Sequence, residues 1–137
     1  MSDKKTLPMF VVDAAVTIKW PVTVSLPVDG GEIADYCFTG IFKRLSDEEM
    51  DKLLDKPKTI SDTQAEDTRI QDVLRENADI FPKLMIGWEG VKTAAGEDSP
   101  FSIEILKSLI TGPNGKFTSV GIWSAIREIR NGAIRGN

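Results

Sequence analysis

The sequence predicts an α+β fold, with a long antiparallel β-hairpin near the N-terminus and about four α-helices after it. Three observations predict it. Val16, Ile18, Trp20, Val22, Val24 and Leu26 are apolar at every second position, the period of a strand with one face buried. Beyond Phe42 the apolar residues recur three and four apart, the period of helices with one buried stripe. Capping residues and helix breakers fall at the ends of those stripes.

Taken in order, the first strand carries Thr17, Lys19, Pro21, Thr23 and Ser25 on its polar face. Pro21 cannot donate to a ladder, which places that strand at a sheet edge or bends it there. Asp29-Gly30-Gly31 turns the chain back. The returning strand has Tyr36, Phe38 and Phe42 on one face, Asp35, Cys37, Thr39 and Lys43 on the other, and an apolar Ile41 breaking the pattern. Met9 to Asp13 is an open candidate for a third strand.

The first helix opens with a capping box, Ser46 with Glu49, and a staple of Leu45 on Met50; its inner face is Met50, Leu53 and Leu54, and Lys56-Pro57 ends it. A polar link follows at about 57–63. Thr63 with Glu66 caps a second helix with the stripe Ile70, Val73, Leu74 and Phe81, stopping near Pro82. A third begins at Ser102, with Phe101 placed to staple Leu106 and with Ile103, Leu106, Leu109 and Ile110 inward; Gly112-Pro113 stops it. The fourth, from about Thr118, carries Ile122, Ile126, Ile129 and Ala133, widened by Trp123, Ala125 and Ile134. Arg135-Gly136-Asn137 reads as a frayed end. The whole is read as one domain over 1–137, with the hairpin at about 10–44 and the helical part at about 46–135.

Between the second and third helices lies Leu84 to Ser102, which reads as a connector joining the N-terminal hairpin and two helices to the C-terminal helix pair. Gly87 and Gly90 let the backbone turn on either side of Trp88, dropping the indole into the core or presenting it to a partner. Large aromatics in small domains are usually core residues, so Trp88 reads first as a packing bridge between the halves.

Composition excludes several chemistries. At 137 residues the chain can bury about two-thirds of its unfolded surface without staples. It has one cysteine and no histidine, which removes internal disulfides, His-based zinc sites and every triad with an imidazole base. The net charge of −4 argues against a broad phosphate-binding face, although Arg127, Arg130 and Arg135 make the last helix locally positive. No apolar run approaches the roughly 20 residues of a membrane span, and no h-region follows the first residues, so the expectation is a cytoplasmic protein without a signal peptide.

Asp47, Glu48, Glu49 and Asp51 read as first-turn charges favoured by the helix dipole rather than as metal ligands, which converge from separate elements. Gly112 to Lys116 is no phosphate loop, since Ile110 and Phe117 stand where Gly and Ser or Thr are required. Cys37, in a strand without a basic neighbour, reads as an inert thiol. No catalytic residue, cofactor or metal is expected. Apolar and aromatic placement alone makes Trp88, Phe101, Ile122, Trp123 and Ile126 the candidate partner-binding residues.

Three stretches, V-T-V-S-L-P-V-D-G-G-E from Val22, F-T-G-I-F-K-R-L-S-D-E-E from Phe38, and I-G-W-E-G-V-K-T-A-A-G-E-D-S-P-F-S-I-E-I-L-K-S-L-I from Ile86, resemble the tail assembly chaperones of long-tailed, siphovirus-type bacteriophages and prophages. The resemblance covers about Trp20 to Ile134, carried by order and spacing rather than by any single motif. It implies an α+β protein without catalysis that binds the tape measure protein, a long and partly apolar helical client, during tail morphogenesis. It also implies recruitment of the major tail tube protein, through a form extended by translational frameshift, and departure before the virion is complete. The partner expectations are therefore those two proteins and a homo-oligomer, with no nucleic acid and no membrane. The alternative is a structural tail component, a tube or terminator-like subunit retained in the virion; a hydrolase or nuclease acting through carboxylates is the third reading.

Overall fold

Strict alternation in the first apolar run produces a hairpin of two 12-residue strands, β1 (Thr17–Val28) and β2 (Glu32–Lys43). The structure, a computed structural model, describes residues 16–54 and 69–132. The strands pair antiparallel from Thr17 opposite Lys43 to Val28 opposite Glu32. Their turn needs φ of +90° at Gly30 and +78° at Gly31, which L side chains rarely adopt. Even-numbered residues of β1 face the helices, and Val22 and Val24 are buried there, while the odd-numbered Lys19, Pro21, Thr23 and Ser25 are exposed. The sheet order β1-β2-β3 leaves β1 at an edge, where Pro21 costs no ladder bond.

The remaining elements are α1 (Asp47–Leu53), α2 (Ile70–Leu84), β3 (Met85–Glu89), α3 (Ile103–Thr111) and α4 (Gly115–Asn131). Strand β3 corrects the expectation of a connector. It pairs antiparallel with β2, Thr39 opposite Glu89 and Gly40 opposite Trp88, with a bulge between Ile41 and Phe42. The sheet thus takes its third strand from Leu84 to Ser102, while Met9 to Asp13 lies outside the described residues. Gly90 does turn the chain, at φ +85°, but Gly87 does not; it lies flat against Ile41, whose Cδ1 would stand 3.1 Å from an added Cβ. From Val91 the chain makes a small loop closed by Ser99 N–H to the Val91 carbonyl at 2.8 Å and Thr93 N–H to the Glu97 carbonyl at 2.7 Å.

The caps at Ser46 and Ser102 form as the sequence predicts. Ser46 Oγ accepts from Glu49 N–H at 3.1 Å, and Glu49 Oε1 accepts from Ser46 N–H at 2.9 Å. Ser102 Oγ accepts from Ile105 N–H at 3.0 Å. Ser102→Ala is expected to lower stability by about 1 kcal/mol, read from the urea unfolding midpoint. The Thr63–Glu66 box, the Pro57 stop, the polar link, and Ala133 onward lie outside the described residues.

Three helix expectations shift. Helix α2 runs past Pro82 to Leu84; proline keeps a helical φ and forfeits one bond near the end, while buried Phe81 and Leu84 hold that last turn. Helix α4 starts at Gly115 rather than Thr118, because the Gly112–Asn114 turn is tight enough for Gly115 N–H to bond the Gly112 carbonyl at 3.0 Å. Ile70 and Ile103 stand at helix starts, beyond the core, and are 40% and 51% exposed.

The helices cover one face of the sheet, α4 lying on β1. The core draws on every element, with Phe42, Phe81, Leu84, Met85, Leu106, Ile110 and Ile122 each at most 2% exposed. Three tryptophans tie it together, each with its indole N–H bonded, as a buried indole requires. Trp20 Nε1 donates to Glu128 Oε1 at 2.8 Å, Trp88 Nε1 to the Ser99 carbonyl at 2.8 Å, and Trp123 Nε1 to Asn77 Oδ1 at 3.2 Å. No described helix is long and apolar enough to cross a membrane.

Candidate functional site

The five residues singled out from the sequence sit in the interior rather than on one accessible patch. Trp88 is 8% exposed, Ile126 5% and Ile122 0%, while Phe101 and Trp123 are half-buried. Phe101 stands edge-on to Trp88 with ring centroids 5.0 Å apart, and Phe38 does the same from the sheet at 6.2 Å. Trp123 stands against Phe81 at 5.2 Å. These contacts join elements distant in sequence. Trp88 is a packing residue, anchoring the small loop to the sheet.

One stretch of accessible apolar surface lies beside that set, with Val120 at its rim. Helix α4 runs antiparallel along β1, since Glu128 meets Trp20 and Gly121 meets Thr23. Gly121 makes this approach possible: an added Cβ would stand 2.4 Å from the Thr23 carbonyl oxygen. With the backbones so close, a groove of about 440 Å3 opens along the β1 edge, lined by Pro21, Thr23 and Ser25 on one side and Phe117, Val120, Gly121, Ser124, Ala125 and Glu128 on the other. Val120 is 56% exposed and Phe117 half-buried. The period of α4 places Ile122 and Ile126 inward and brings Phe117, Val120 and Ser124 to the flank, so the helix offers a partner a different stripe from the one its hydrophobicity suggests. A shallower depression of about 330 Å3 lies at the α3–α4 turn, between Ile105, Leu109 and Pro113.

At the base of the hairpin a cavity of about 110 Å3 has Phe42, Leu45, Met50, Leu84, Ile126 and Ile129 as its apolar walls, with Lys43, Arg44, Asp47 and Arg130 at its rim. Arg130 Nε donates to Asp47 Oδ1 and Arg130 Nη2 to Asp51 Oδ1, both at 2.9 Å. Hydrogen bonds to Asp51, then to Asp47, push the Arg130 guanidinium further above its ordinary range. The start of α1 therefore caps its own helix through Ser46 and Glu49, and Asp47 with Asp51 one turn on docks α4. Among the described residues no group of three or more Cys, Asp or Glu side chains is placed to hold a metal ion. Cys37 is exposed on β2, opposite Thr23.

Compared with protein-family models, curated proteins and solved structures, the chain shows no match.

Proposed function

We propose that the chain is a non-catalytic tail assembly chaperone, acting in the host bacterial cytoplasm, that holds the tape measure protein while the tail tube assembles. The resemblance of the three stretches from Val22, Phe38 and Ile86 supplies the role. The observation that carries it at the level of surface is the groove between β1 and α4, whose helical wall offers Phe117 and Val120. An amphipathic client helix buries its apolar stripe in such a groove and leaves again when a more extensive partner, the assembled tube, takes over. Binding through a few apolar side chains, without buried ion pairs, suits a client that must be released.

Val120→Glu tests this surface. An exposed substitution of this kind changes stability by no more than about 0.5 kcal/mol. On co-expression with the tape measure protein it is expected to weaken co-purification about tenfold and to return the client to the insoluble fraction. Full retention of client solubility by Val120→Glu would remove the groove from the account.

One observation favours the alternative of a tube or terminator-like subunit. Strand β3 covers only Thr39 to Phe42, so the outer edge of β2 from Ile33 to Cys37 carries no neighbouring strand among the described residues. Such an edge accepts a strand from another subunit. A retained subunit would be present at stoichiometric copy number in mature tails, and a chaperone would not.

A further inference from the structure

We propose that the cavity at the hairpin base is a binding site for a short aliphatic carboxylate, its tail of about four carbons inside and its carboxylate at the mouth beside Lys43 and Arg44. The cavity lies where four elements meet: Phe42 comes from the end of β2, Met50 from α1, Leu84 from the last turn of α2, and Ile126 with Ile129 from α4. Its volume of about 110 Å3 compares with the cavity of about 150 Å3 that takes a benzene molecule, so the walls enclose about four carbons rather than six. The ion pairs of Arg130 with Asp47 and Asp51 tie α1, which supplies Met50, to α4, which supplies the two isoleucines. The walls are therefore set before a ligand arrives, which lowers the cost of binding.

Charge selects the head group. Lys43 and Arg44 line the mouth, and neither has an ion-pair partner among the described residues. Asp47, the acidic residue lining the same cavity, is already held by Arg130. The mouth is left with two uncompensated positive charges, which favour an anion over a neutral or cationic molecule of the same shape. Both residues are exposed, so the carboxylate stays in water while the tail alone is desolvated, and no charge is buried. The site shares no lining residue with the groove between β1 and α4, so it stands or falls apart from the chaperone reading.

Titration of the full chain with straight-chain carboxylates tests the proposal, followed by amide shifts in two-dimensional NMR at low salt and neutral pH, well above the carboxyl range. The amides of Phe42, Leu45 and Ile129 are expected to shift saturably with pentanoate. Affinity is expected to rise about fourfold for each methylene from acetate to pentanoate, the ratio for one buried methylene, and to level off by heptanoate because the cavity is full. Pentan-1-ol and pentylamine are expected to bind about tenfold more weakly than pentanoate. Lys43→Gln with Arg44→Gln, an exchange of two exposed residues, is expected to bring pentanoate down to the level of the alcohol and to leave the alcohol unchanged. Ile129→Phe narrows the cavity and is expected to abolish binding of both; should that chain fail to fold, the glutamine pair still decides. Three results would overturn the proposal: carboxylates that shift no amide of the cavity walls, an affinity that does not depend on tail length, or a glutamine pair that binds pentanoate as the wild type does.

Discussion

Trp88→Ala is expected to lower the unfolding free energy by about 3–5 kcal/mol, a large share of the roughly 5–15 kcal/mol available to a domain of this size. The indole is 8% exposed, stands edge-on to Phe38 and Phe101, and donates to the Ser99 carbonyl. Truncation opens a cavity between sheet and loop, removes two aromatic pairs and leaves the Ser99 carbonyl without this donor. The loss is read from the urea midpoint, and client binding by whatever fraction remains folded should be nearly unchanged. A cost under about 1 kcal/mol would mean that the loop is held elsewhere.

Gly121→Ala is expected to be destabilising by about 1–3 kcal/mol although alanine is the better helix former. The new methyl would stand 2.4 Å from the Thr23 carbonyl oxygen, a backbone atom with no side-chain freedom to yield, and 3.1 Å from a Val24 methyl. Helix α4 must move off β1, stretching the Trp20 to Glu128 hydrogen bond and widening the groove beside Gly121. An alanine one residue earlier, Val120→Ala, falls on the exposed flank and should change stability by no more than about 0.5 kcal/mol. Hydrogen exchange along β1 separates the two: faster exchange is expected in Gly121→Ala only. Equal stability of both variants would contradict the close packing of helix on strand.

The elements legible in the sequence are those whose local signals agree with their packing. The β1 alternation, the glycine turn, the capping residues Ser46 and Ser102 and the Gly112 stop all act within a few residues of themselves. Strand β3 was hidden because its five residues do not alternate: Met85, Gly87 and Trp88 are buried and Ile86 is 44% exposed, a pattern created by the bulge opposite Ile41 and Phe42. That bulge belongs to a pairing with a distant strand, and no window around Leu84 to Ser102 contains it. The candidate site was legible as a helix but not as a face. Ile122, Trp123 and Ile126 are the most apolar residues of α4 for the same reason that they are buried, so apolarity ranks core positions above binding positions. Gly121 and Ser124, small residues in an amphipathic helix, were the signal that a backbone approaches on that side.

A chaperone of the proposed kind acts on the tape measure protein during assembly and then departs. Absolute quantification of both proteins by mass spectrometry, in purified tail-assembly intermediates and in finished virions, tests it most directly. The chain is expected together with the tape measure protein in the intermediates and to be lost from mature particles. Stoichiometric copies in the mature tail, or intermediates that hold the tape measure protein without this chain, would contradict it.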